Sequence, residues 1–196
     1  MVELLVRNRV ETRYEDDEGL CRAVFHGHLD LVEYLLANGA NPRAQNGKPM
    51  FLACQQGRLV LARVLHHHGA PVDDQHNQNL MAASSRGHYD VVKFLVEHGA
   101  DVNAQGGFGL RIACSRGHWD IVQLFCDRGV GQDAICRTSL GLGCLNGHLR
   151  IVQLLLSLGA DLHENRDDPL FMAAHNGHLR IVEYLLMHGA DPFARG

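Results

Sequence analysis

Apolar positions along this chain keep a helical rhythm that is interrupted at regular points. Near the C-terminus Leu170, Ala173 and Ala174 stand at i, i+3 and i+4, and Leu179, Val182, Leu185 and Leu186 form a second stripe. Such spacings place apolar side chains on one helical face. They predict two short helices, the first ended by Gly177 and the second by Gly189. Glycine ends a helix at little cost because it adopts the left-handed backbone conformation that other residues resist. The stretches Asp191 to Gly196 and Asp161 to Asp168 carry turn formers and link one pair to the next. Helices of eight or nine residues are marginal alone, so each pair needs a neighbour to cover its apolar face.

The same pattern returns every thirty residues. The heptapeptide NGHLRIV stands at 146–152 and again at 176–182. Glycine recurs at 27, 57, 87, 117, 147 and 177, and at 39, 69, 99, 129, 159 and 189. The first series is followed by histidine at every position except Arg58, and the second by alanine at every position except Val130. Val2-Glu3-Leu4-Leu5 matches Val32-Glu33-Tyr34-Leu35. The chain therefore reads as a single 1–196 domain: a half unit, 1–15, then six units at approximately 16–45, 46–75, 76–105, 106–135, 136–165 and 166–196. A period of this length marks a stacked array. One first-helix position holds Ala23, Ala53, Ala83, Ala113, Gly143 and Ala173, small residues that let adjacent helices approach closely.

The phrases AASSRGHYDVVKFLVEHGADVNA (82–104) and AAHNGHLRIVEYLLMHGADP (173–192) resemble the ankyrin repeat over nearly the whole unit. The resemblance implies an all-α solenoid of stacked helix-turn-helix units with short β-turn fingers and a right-angled concave face. The family's period is about 33 residues, against 30 here, and its Thr-Pro-Leu-His opening is reduced to Pro49-Met50 and Pro169-Leu170. The lost residues shorten the finger. The resemblance also marks Asn103 as a candidate for hydroxylation, set against the ordinary role of asparagine in stabilising its own turn.

Composition narrows the function classes. A formal net charge of −4 supplies no global attraction to nucleic acid or to an anionic membrane, and no apolar run approaches the roughly 20 residues that span a bilayer. The N-terminus makes a poor signal peptide, so the expectation is a cytoplasmic protein in a reducing compartment. Cys54, Cys114 and Cys144 occupy equivalent positions in different units. Stacked helices lie roughly 8–10 Å apart, too far for a disulfide, which needs Cα atoms within about 7 Å. These three, with Cys21 and Cys126, read as reduced small hydrophobes. Cys136 falls in a finger and is the one expected to be exposed and available for thiol chemistry. The run His66-His67-His68, with His76 nearby, is the only metal-like cluster. Adjacent helical histidines diverge by about 100° and cannot all ligate one ion. No nucleophile–base arrangement or phosphate loop stands out, so no catalytic residue, metal or cofactor is expected. A metal-binding or thiol-reactive site is the alternative from another class.

If the recurrent residues build the frame, the variable ones select the partner. In the resembled family partners are held at finger tips and along the exposed side of the first helix. Carried onto this register, that surface comprises Lys48, Gln55, Gln56, Gln78, Ser85, Arg86, Phe108, Arg111, Ser115, Arg116, Arg137, Leu145, Asn146, His175 and Asn176. Arginine beside an aromatic is favoured at interface hot spots. The expected function is non-catalytic protein–protein interaction, with an acidic or phosphorylated segment bound at units three to five. Uninterrupted 30-residue units also resemble those of giant viruses and host-associated microbes, which implies a host-directed adaptor as an alternative. Glu15-Asp16-Asp17-Glu18 and Asp167-Asp168 make the flanks acidic. Terminal units keep the ordinary apolar pattern although array ends normally present polar faces, so self-association through uncapped ends is a further expectation.

Overall fold

Helical pairs recur along the whole described chain of this computed structural model, which describes residues 18–72, 77–130, 138–163 and 168–193. Two compact units, Met1–Asp101 and Val102–Gly196, divide it.

The first unit contains α1 (Glu18–His26), α2 (Leu29–Ala37), α3 (Ala44–Gln55), α4 (Leu59–His67), α5 (Gln78–Arg86) and α6 (Tyr89–Glu97). Each odd-numbered helix packs on the next odd one and on its own even partner: α1 meets α3, and α3 meets α5. The core is the seam between these layers. Leu20, Met50, Leu65 and Leu95 are fully buried there. The small first-helix residues Ala23, Ala53 and Ala83 are sealed, as the need for close approach requires.

The second unit repeats the arrangement with α7 (Ala104–Arg116), α8 (Trp119–Asp127), α9 (Leu140–Leu145), α10 (Leu149–Ser157), α11 (Asp168–His175) and α12 (Leu179–Met187). Here α7 packs on α9 and α9 on α11. Leu110, Phe125, Leu140, Ile151, Leu155 and Leu185 fill the seam.

The fingers at 43–47 and 103–107 are short turns, as the fold requires. No strand occurs among the described residues. Gln45, Asn46 and Gly47 instead take left-handed conformations with φ of 48°, 58° and 85°. Gln105, Gly106 and Gly107 do the same at 51°, 63° and 72°. Three successive left-handed residues make one reversed turn that delivers the chain directly into the first helix. A 30-residue period leaves no length for a hairpin, and this turn is what fits. Its cost falls on Gln45, Asn46 and Gln105, which carry a Cβ that the left-handed region penalises. In α3 the right-handed stretch then resumes at Lys48, with Pro49 in its first turn, where a fixed φ fits.

None of the five described cysteines forms a disulfide; Cys21, Cys54, Cys114 and Cys144 are buried and Cys126 is half-buried. Burial raises the Cys126 thiol to about 11 and the Cys144 thiol to about 12. Desolvation likewise pushes Cys114 upward, against a hydrogen bond with Ser139. Thiols held neutral in this way are poor nucleophiles. Cys136 and His76 lie outside the described residues.

Candidate partner-binding face

The recurrent histidine does more than open the second helix. It occupies the residue before α6, α10 and α12 yet makes no side-chain cap. Its ring reaches back to the preceding pair instead. His88 Nε2 lies 3.1 Å from the Gln55 carbonyl, His148 Nε2 3.2 Å from Ser115, and His178 Nε2 3.0 Å from Leu145. A carbonyl can only accept, so Nε2 carries the proton and donates. Arg58, the one departure from histidine, serves the same end: its Nη2 donates to the Phe25 carbonyl at 3.3 Å. This brace explains the adjacent glycine twice over. Gly57, Gly117 and Gly147 have φ of 71°, 79° and 81°. A Cβ built on them would also fall 2.5–2.7 Å from the imidazole of the following unit.

The brace uses backbone carbonyls at the C-terminal ends of the first helices and leaves their outer side chains exposed. In the first unit Lys48, Gln78 and Arg86 are exposed, while Gln55, Gln56 and Ser85 are half-buried. Lys48 Nζ donates to Gln45 Oε1 at 2.7 Å, steadying the left-handed turn. Gln56 Oε1 accepts from Arg58 Nε at 2.6 Å, so it positions the brace. Of the acidic run only Glu18 is described. Arg22 and Gln45 donate to its carboxylate and hold it below its usual range.

In the second unit Phe108, Arg111 and Ser115 share one face of α7, at i, i+3 and i+7. The Arg111 guanidinium lies 5.2 Å from the Phe108 ring centre. Its Nη1 donates to the Gly106 carbonyl at 2.6 Å, so this arginine is engaged with its own finger turn. Arg116 is exposed at the end of α7 and, like Arg86 at the end of α5, makes no hydrogen bond or ion pair among the described residues. Leu145 and Asn146 are exposed, and Asn146 Nδ2 lies 2.9 Å from the Leu142 carbonyl and 3.4 Å from Ser115 Oγ. His175 stacks against Phe171 with ring centres 5.7 Å apart, and Asn176 Nδ2 donates to Met172 at 2.8 Å. Arg137 and Asp167 lie outside the described residues. Asn103 is exposed just before α7.

His66 is half-buried in α4, as its apolar register position suggests, with Nδ1 3.2 Å from the Ala70 carbonyl. It packs edge-on against Phe94 and His98, ring centres 5.8 and 4.9 Å away. That pairing of successive helical pairs within the first unit, rather than the run His66-His67-His68, is the contact the fold creates. Among the described residues no three His, Cys, Asp or Glu side chains assemble as a metal site, and no helix is long and apolar enough to cross a membrane.

Stacked helical pairs joined by short turns, with a brace repeated at Arg58, His88, His148 and His178, define a helical repeat protein. The sequence model described as ankyrin repeats (3 copies) matches residues 20–106 and 110–195, and this chain belongs to the ankyrin repeat family. Among solved structures it is similar to the human ASB11 ankyrin repeat domain, at 25% identity and a TM-score of 0.76, covering 88% of this chain and 84% of that one. No curated protein matches it in sequence. Ankyrin repeats generally mediate protein–protein interaction and are typically non-catalytic.

Proposed function

We propose that this chain is a cytoplasmic, non-catalytic recognition module whose exposed first-helix side chains hold an acidic or phosphorylated segment of a partner protein. The observation that carries this reading is the pair Arg86 and Arg116. Each guanidinium is exposed, occupies the same register position in its own unit, and makes no hydrogen bond or ion pair among the described residues. Guanidinium presents a planar fork of donors matched to carboxylate or phosphate oxygens. The cores beneath are closed, so the side chains are offered from fixed backbone and binding orders little else. Phe108, Ser115, Leu145 and Asn146 supply flat and polar contacts alongside Arg116. Arg111 acts differently, by setting the finger turn beneath Phe108.

The test is the affinity of acidic and phosphoserine peptides for Arg86→Ala/Arg116→Ala. A loss of about 10-fold or more is expected from two charge-assisted contacts of about 1 kcal/mol or more each. Unchanged affinity would reject this reading. Asn103 is the residue we propose for hydroxylation, read as a mass gain of one oxygen on its tryptic peptide and absent in Asn103→Ala.

A further inference from the structure

His66 lies in the last turn of α4 and His98 directly follows α6, both in the first unit. Their imidazoles stand edge-on, with ring centres 4.9 Å apart and planes at 78°. Each ring is tied at Nδ1: His66 to the Ala70 carbonyl at 3.2 Å, His98 to the Phe94 carbonyl at 2.7 Å. A carbonyl only accepts, so each Nδ1 carries the proton and each Nε2 holds an unshared electron pair. Neither Nε2 makes a hydrogen bond among the described residues. The buried Phe94 ring packs on both imidazoles, with centres 5.8 Å from His66 and 4.3 Å from His98, and limits how far either can turn.

The tether alone is an ordinary helix-end device, since His188 repeats it on the Tyr184 carbonyl at 2.7 Å. The pair is what does not recur. In the register of the array the same two positions hold Leu36 and His68, Val96 and Arg128, Cys126 and Leu158, and Leu156 and His188. Stacking therefore does not require two imidazoles here, and an aliphatic residue at position 66 would serve the seam as well.

We infer that His66 and His98 form a two-histidine chelate for a divalent transition ion of the zinc, nickel or copper class. A neutral imidazole held by Nδ1–H on a carbonyl is the form in which histidine ligates metal through Nε2. With metal–nitrogen bonds of about 2.0–2.1 Å, two imidazoles at adjacent coordination positions place their ring centres roughly 5 Å apart. The observed separation is of that size. Neighbouring histidines on one helix diverge too far to share an ion, and the fold avoids this by taking one ligand from each of two successive helical pairs. His66 is half-buried and His98 exposed, so the pair opens to solvent and water fills the remaining coordination positions. The inference is independent of the arginine-based reading, because it involves neither Arg86 nor Arg116 and needs no peptide.

The test titrates zinc and nickel chlorides into the full chain by calorimetry and follows Tm at saturating ion. One ion bound to the folded chain should raise Tm in a concentration-dependent way. His66→Gln and His98→Gln should each weaken binding about 10-fold or more, because either one removes the chelate. The double variant should lose little beyond either single one. His67→Gln/His68→Gln should leave binding unchanged. Tm without ion reports whether each variant folds, and His98→Gln, at an exposed site, carries the test if the half-buried His66 proves structurally necessary. Absence of an ion-dependent rise in Tm overturns the inference. Binding that survives His98→Gln, or that falls in His67→Gln/His68→Gln instead, overturns it too.

Discussion

The two compact units solve one packing problem with different tolerance for buried polarity. In Met1–Asp101, Asn77 Oδ1, Asn79 Oδ1 and Ser84 Oγ are buried without a hydrogen-bond partner. The amides cannot be relieved by flipping, because Asn77 Nδ2 already donates to Asp101 at 2.6 Å and Asn79 Nδ2 to Val72 at 3.2 Å. No such orphan occurs among the described residues of Val102–Gly196. There the Asn79 position holds Gly109, Ser139 and Pro169, with Ser139 hydrogen-bonded to Cys114, and the Ser84 position holds Cys114, Cys144 and Ala174. Each unmatched buried acceptor costs about 1–3 kcal/mol. The repeat architecture thus accepts a local penalty as long as the apolar seam and the histidine brace persist on either side.

The largest expected effects probe whether the seam is equivalent in both units. Leu65→Ala and Leu155→Ala remove side chains that are fully buried at the same register position, and each should cost about 2–5 kcal/mol in denaturant unfolding. A much smaller loss in the first unit would show that its polar residues have already loosened the core.

Next comes the brace. Gly147→Ala combines left-handed backbone strain with displacement of the His178 ring, together about 2–4 kcal/mol. Gly177→Ala, with the same φ but open space, should cost only the backbone part, about 1–2 kcal/mol. Equal losses would mean that the ring yields freely and the brace contributes nothing.

Smaller and opposite in sign are the polar exchanges. Ser84→Ala should stabilise by about 1 kcal/mol by removing an orphan hydroxyl, whereas Cys144→Ser should destabilise by a similar amount. Thermal unfolding of the two variants gives the sign directly.

The last probe is pH, which acts on the cysteine thiols only in alkali. The folded Cys126 and Cys144 thiols, raised to about 11 and about 12 from an ordinary 9.0, bind protons more tightly than when unfolded. Their contribution is complete below pH 9 and is lost as pH rises through 11 to 12. Stability should therefore fall across that window, and Cys126→Ala/Cys144→Ala should flatten the decline.

Much of the architecture was legible in the chain. Gly and His recurrences marked the helix boundaries, and the small residues at 23, 53, 83, 113, 143 and 173 marked the close seam. The finger conformation was not legible, because Gln45 and Gln105 are not residues that advertise three left-handed steps. Nor was the state of the arginines. Arg111 and Arg116 look alike as letters, but one is tied to the Gly106 carbonyl and the other is exposed and unpaired among the described residues. The histidine position was visible in five of six repeats, but its partner lies one repeat back, where local pattern carries no information.

The thirty-residue period alone determined that this protein is a series of helical pairs and which side chains face their neighbours, because burial on a short helix follows directly from 3.6-residue spacing. Tertiary structure decided the rest: which carbonyl each described imidazole reaches, and which arginine stays unpaired among the described residues. Those outcomes depend on distances between residues about thirty positions apart, and only the stacking of one pair on another sets such distances.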